Sequence, residues 1–171
     1  IRHCPGRSFM AQDVQDADAL LVRSVTQVNE ALLQNSSIKF VGSATIGTDH
    51  LDIAALEQHG IQWSNAAGCN AQAVAEYVIT ALLHVRPELV DANATFSLGI
   101  VGLGNVGTRL AYMAKLLGWR VIGYDPLVQR TQVDQVEFNE LLQQADAISI
   151  HVPLTQTGLY PTYHLFNTAT L

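Results

Sequence analysis

Short apolar runs alternate along this chain with stretches in which apolar residues recur every three or four positions. The first kind of pattern predicts buried strands and the second predicts one-sided helices. Ala19 to Val22 is a predicted strand, followed by a helix from about Asn29 to Gln34 and a strand over Ile38 to Ser43. A helix over Leu51 to His59, closed by Gly60, leads into a third strand over Ile61 to Ser64. A longer helix opens at Asn70, its expected N-cap, and stops near Pro87. Val74, Val78, Leu82 and Val85 form a stripe on it that Ala71, Ala75, Ile79 and Leu83 widen, so cover on more than one side is expected. A second segment begins near Asn93, with a strand over Phe96 to Val101 and a helix carrying Val106, Leu110, Met113 and Leu117. Strand Arg120 to Tyr124, a helix around Phe138 to Gln143 and strand Ala147 to Val152 complete it. Strands alternating with helices predict parallel sheets.

Between the strand at Val101 and the helix at Val106 stands Gly102-Leu103-Gly104-Asn105-Val106-Gly107, and Asp125 follows about 20 residues later at the end of the next strand. Strand, G-x-G-x-x-G turn, helix, strand and acid form a dinucleotide-binding fingerprint. Gly102 allows the tight turn, Gly104 admits a pyrophosphate close to the main chain, and Gly107 lets the helix approach the sheet. The free N–H groups and positive dipole end of the helix favour phosphate. Asp125 can accept from the adenosine ribose and repels the extra phosphate of NADP, which favours NAD; Arg130, close by in sequence, speaks for the other cofactor.

Composition narrows the partners. The 171 residues are 49% hydrophobic and carry a net charge of −6, which argues against nucleic acid or an anionic membrane as partner. No apolar run has the roughly 18 residues of a membrane span. Cys4 and Cys69 make neither a disulfide framework nor a metal site and suit a reducing, cytoplasmic setting. The chain starts Ile1-Arg-His without an initiator methionine and stops at Leu171 within a starting helix, so a fragment is expected.

Further motifs carry a resemblance. Val74-Ala75-Glu76, His151-Val-Pro-Leu-Thr155 and the glycine turn resemble the D-2-hydroxyacid dehydrogenases. A narrower set is Val22-Arg-Ser-Val-Thr26, Gly42-Ser-Ala-Thr-Ile-Gly-Thr-Asp-His-Leu-Asp52, Gly68-Cys-Asn-Ala71 and Gly158-Leu-Tyr-Pro-Thr-Tyr-His-Leu165. It resembles a branch of that family acting on a small phosphorylated 2-hydroxy acid. The resemblance implies an α/β fold: an incomplete flavodoxin-like substrate domain lacking its first strand, with the linking helix, over 1–92, and the first half of a Rossmann doubly wound parallel sheet over 93–171. It implies NAD-dependent oxidation, Ser24 and Thr45 at substrate positions, and Asn105, Val106, Asp125 and Val152 at cofactor positions, Val152 replacing a threonine. The family's catalytic Arg, Glu and His would lie beyond Leu171, so the 171 residues are expected to be inactive alone, and poorly stable for want of a completed sheet edge. Family members are usually homodimers.

Several residues keep two readings. Arg23 either grips a phosphate as a bidentate donor or forms a surface ion pair. Ser24 and Thr45 end neighbouring strands and would face one crevice; Thr48 and Asp49 either serve it or cap the helix after Leu51. Glu76 is expected to face solvent. Of six histidines, His50 is expected near the crevice and His151 beside the cofactor or packed at a strand end; none is expected in the His–Glu pair a base would need. Two alternatives to the narrow assignment are another hydroxyacid dehydrogenase, such as one acting on phosphoglycerate, and an NAD-sensing module without turnover.

Overall fold

A computed structural model describes residues 1–3, 9–91, 94–168 and 170. Cys4, Asn93 and Leu171, on which earlier expectations fall, lie outside the described residues. The chain divides into two compact units, Ile1–Cys69 and Asn70–Leu171.

The first unit opens with a short helix that the apolar pattern does not predict, α1 (Ala11–Val14), whose start is closed by the Asp13 carboxylate accepting the Met10 N–H. Strand β1 (Ala19–Val22) buries Leu20 and Val22 and exposes Ala19 and Leu21. Helix α2 (Glu30–Leu33) is capped by Asn29, whose side chain accepts from Leu32 N. Then come β2 (Phe40–Ser43), α3 (Ile53–Gln58) and β3 (Gln62–Asn65). The three strands are parallel in the order β1-β2-β3. Leu33, Val41 and Leu56 are fully buried at the centre of this unit's core.

Helix α3 is shorter than expected for a clear reason. Val28 pairs with Leu51 in a parallel bridge, its N–H donating to His50 O and its carbonyl accepting from Asp52 N, both at 2.8 Å. That pairing keeps Leu51 out of the helix, so the cap falls to Asp52, which accepts from Ala55 N at 3.0 Å. Neither Thr48 nor Asp49 caps the helix.

The second unit begins with α4 (Ala71–Val85), followed by a 3-10 turn at Pro87–Val90. Asn70 occupies the N-cap position, but its side chain makes no capping bond. The buried seam of α4 is Ala71, Ala75 and Ile79; Val74, Val78 and Leu82 are half-buried and Val85 is exposed. Small residues on that seam permit close approach to α5 (Asn105–Leu116), against which α4 packs.

The sheet of this unit comprises β4 (Ser97–Val101), β5 (Arg120–Tyr124), β6 (Asp134–Gln135) and β7 (Ala147–Ile150), with α6 (Phe138–Gln144) before β7. Its order is β6-β5-β4-β7, all parallel. Every residue of β4 is buried, as a central strand covered on both faces requires. The chain steps outward from β4 to β6 and returns to the opposite side of β4 for β7. This reversal creates a switch point beside the carboxyl end of β4, where open α/β sheets have their ligand crevice. The fold is therefore α/β with two parallel sheets. Among the described residues no helix is long and apolar enough to cross a membrane.

Candidate functional site

The glycine turn occupies the carboxyl end of β4. Gly102 has φ +94°, and a Cβ there would meet His151 O at 2.7 Å, so the turn tolerates no side chain. A Cβ on Gly107 would stand 1.9 Å from Gly102 O. Gly104 differs: a Cβ would find nothing within 4 Å. Nothing inside the protein therefore demands glycine at 104, which lines an open cavity. Helix α5 begins there without a side-chain cap, so its first N–H groups are free for an external acceptor.

Leu103, fully buried, is held from both sides of its main chain. Its N–H donates to Asp125 Oδ2 at 2.8 Å, and its carbonyl accepts from Thr108 Oγ1 at 2.9 Å and Arg130 Nε at 3.2 Å. Asp125 Oδ1 accepts the N–H groups of Leu127 and Val128 at 3.0 and 3.1 Å. A carboxylate has about four lone-pair sites, so Asp125 retains capacity for a further donor. A cavity of ≈ 420 Å³ is lined by Gly104, Asn105, Thr108, Arg109, Tyr112 and Arg130; Asp125 is not among these lining residues and is tied to the cavity only through Leu103, whose carbonyl also accepts from Arg130. Thr108, Arg109 and Tyr112 escaped the sequence reading. Their signal was their place at i+3, i+4 and i+7 from Asn105, on one face of α5.

Val152 follows the end of β7, which stops at Ile150, two residues earlier than expected. It is half-buried, belongs to the cluster around Val101 and Ile122, and lines a separate cavity of ≈ 380 Å³ with Pro153, Leu165 and Phe166 among others. His151 bonds Ser149 Oγ through Nε2 at 2.9 Å, and burial lowers its pKa from the ordinary histidine value.

In the first unit, Ser24 and Thr45 line one cavity of ≈ 220 Å³ with Gln27, Gly47, Asp49 and His50. Arg23 is exposed, makes no ion pair among the described residues and is not among those lining residues. Glu76 is exposed and accepts from Gln72 Nε2. One histidine meets a glutamate at the surface: His59 Nε2 lies 2.9 Å from Glu30 Oε2. The pair is solvent-exposed and links the C-cap of α3 to the start of α2, outside the cavity. Spacing in sequence could not reveal it, because parallel strands bring the two helices side by side.

A glycine turn, an acid bonded into it and a switch point are the defining features of the second unit of this α/β fold. The chain belongs to the family of D-isomer specific 2-hydroxyacid dehydrogenases: the model of its catalytic domain matches residues 5–170. Within that family it is 68% identical over 167 residues to erythronate-4-phosphate dehydrogenase of Acinetobacter baumannii (strain AYE), covering 98% of this chain and 47% of that protein. The chain thus spans 47% of that relative's length. Among solved structures, 3-phosphoglycerate dehydrogenase of Entamoeba histolytica, with NAD+ bound, matches with TM-score 0.68 at 30% identity, over 86% of this chain and 50% of that one. D-mandelate dehydrogenase of Rhodotorula graminis matches with TM-score 0.75 at 19% identity, over 94% and 59% respectively, a likeness of fold alone.

Proposed function

We propose that this chain is part of an enzyme that oxidises the 2-hydroxyl of 4-phospho-D-erythronate with NAD, giving 2-oxo-3-hydroxy-4-phosphobutanoate on the route to pyridoxal phosphate. The observation that carries this reading is the 68% identity to erythronate-4-phosphate dehydrogenase across nearly the whole chain. On this reading the first unit is the incomplete flavodoxin-like substrate domain. The second unit is the first half of a Rossmann sheet, an assignment supported by its β6-β5-β4-β7 order.

Gly102, Gly104, Asn105, Val106 and Gly107 would hold the cofactor's pyrophosphate, Asp125 its adenosine ribose, and Val152 would make a main-chain contact. NAD, when bound, supplies the hydride acceptor. Ser24 and Thr45 bind the substrate from the first unit, and the exposed guanidinium of Arg23 is available to its phosphate. Removing the hydroxyl proton requires a base. We assign that base, with its Glu and the carboxylate-binding Arg, to the part of the relatives that this chain does not span. The 171 residues alone should then bind NAD without turning substrate over.

The test uses protein extended to the relatives' full length, with NADH formation followed at matched concentrations of 4-phospho-D-erythronate and 3-phosphoglycerate. Preference for the first acid supports the reading. Preference for the second moves the protein elsewhere in its family, and NAD binding without turnover of either makes it a sensor. The same preparation, run through size-exclusion chromatography with light scattering, tests the homodimer expected from the resemblance.

A further inference from the structure

The loop after β5 is clasped by a side chain from the next strand. Gln135 belongs to β6, where Gly123 of β5 is its register partner. Its Oε1 accepts the Arg130 N–H at 2.6 Å. Its Nε2 donates to Val128 O at 2.9 Å and to Asp125 O at 3.4 Å. These contacts use both the acceptor oxygen and the N–H donors of one side-chain amide, a set that only the shorter asparagine shares.

Asp125 works on the same loop from its other end. Its Oδ1 accepts the N–H groups of Leu127 and Val128. Val128 is therefore gripped twice, through its N–H by Asp125 and through its carbonyl by Gln135. Arg130, with its own N–H held by Gln135, donates Nε–H to the Leu103 carbonyl, and the Leu103 N–H is bonded to Asp125 Oδ2. The bonds close a circuit from Gln135 through Val128, Asp125, Leu103 and Arg130 back to Gln135.

Asp125 keeps about one of its four acceptor sites for a ligand. A carboxylate free to turn would offer that site in many directions. Here both oxygens are fixed, and the donors that fix Oδ1 are main-chain groups whose own place depends on Gln135. Ordering the loop before a ligand arrives removes that entropy cost from binding. We propose that Gln135 is a positioning residue for the adenosine ribose of the cofactor, holding the loop so that the remaining acceptor site of Asp125 meets the ribose hydroxyls in one orientation. The ribose as ligand rests on the cofactor reading above; the circuit does not. The fingerprint ends at Asp125, whereas Gln135 stands ten residues further on.

The test titrates the whole chain with ADP and with its dideoxyribose analogue, which lacks both ribose hydroxyls. The parent chain should bind ADP about tenfold more tightly than the analogue. Q135M and Q135E should each bring that ratio to within about twofold, the first for want of any polar group and the second because it sets oxygen against the Val128 carbonyl. A loss of fold quality alone would weaken both nucleotides alike and leave the ratio unchanged, which overturns the proposal. Amide exchange is the second arm and needs no ligand. In Q135M the Leu127 and Val128 amides should exchange about tenfold faster, with the amides of β4 unchanged. Unchanged protection at Leu127 and Val128 overturns the proposal, and so does faster exchange throughout β4, which would make Gln135 a residue of general stability. A parent chain that binds ADP no more tightly than the analogue, or not at all, takes down the ribose assignment and this proposal with it. A parent preference that Q135M retains leaves the assignment standing and sinks only the role of Gln135.

Discussion

Asp125 Oδ2 accepts the main-chain N–H of Leu103 at 2.8 Å, tying the residue after β5 into the glycine turn after β4. The fingerprint acid is therefore a structural member of the cradle before any ligand arrives. Replacing it by asparagine puts an NH2 group against main-chain donors. D125N should lose about 1–3 kcal/mol of stability, the cost of a buried donor left unpaired. NAD affinity should fall about tenfold or more, and NADP should lose less, because Arg109 and Arg130 line the cavity at the glycine turn. Thermal melts and calorimetric titration with both cofactors check this. Unchanged NAD binding in a folded D125N would remove Asp125 from the cofactor site.

Gly104 and Gly107, one turn of chain apart, should respond in opposite ways to the same methyl group. G107A forces a Cβ to 1.9 Å from Gly102 O, a backbone atom that cannot swing aside. Its stability should fall by about 1–3 kcal/mol or more. G104A meets nothing within 4 Å and should melt within about 0.5 kcal/mol of the parent chain. Its NAD affinity should nevertheless drop at least about tenfold, since the methyl fills the approach to the pyrophosphate. Melting curves and titrations on the two variants separate packing from ligand contact; an unaffected affinity in G104A would contradict the pyrophosphate assignment.

Much of this architecture was legible because burial writes periodicity into sequence. Strand β5 falls at Arg120–Tyr124 as the apolar run predicts, and α5 follows the stripe from Val106 to Leu117 closely. Elements held by pairing rather than by burial were not legible. Strand β6 is two polar-rich residues, Asp134 and Gln135, recruited by the edge of β5. Leu51 looked helical by composition, yet its bridge to Val28 claims it for extended backbone. On the long helix both the stripe and its widening were read, and the fold ranks them: Ala71, Ala75 and Ile79 are buried, while Val78, Leu82 and Leu83 pack half-buried against the same core. At the candidate site the turn and its acid were readable from spacing, but the Gln135 clasp depends on contacts that only the fold brings together.

The two tryptophans offer the same substitution in opposite surroundings. Trp119 is 4% exposed, donates Nε1–H to Leu89 O at 3.3 Å and meets Phe96 edge-on with ring centroids 4.9 Å apart. Trp63 is 37% exposed. W119F should cost about 1–3 kcal/mol, because it leaves a buried carbonyl without its donor as well as reducing volume. W63F should stay within about 0.5 kcal/mol. Urea titrations followed by circular dichroism give both numbers without relying on the fluorophores; equal effects would mean that Trp119 is not packed as described.

Stability should also depend on pH through His151. Burial disfavours its charged form and lowers its pKa below the ordinary histidine value of about 6.5. Between the lowered folded value and the unfolded one, the unfolded chain binds more protons than the folded chain. The contribution of neutral His151 is therefore fully present above about pH 6.5 and is lost as pH falls through the folded value. H151Q can still bond Ser149 Oγ but does not titrate. Its urea midpoint should fall less than that of the parent chain between about pH 7 and about pH 5, the other five histidines being common to both. Parallel pH profiles would show that His151 is as well solvated in the folded chain as in the unfolded one.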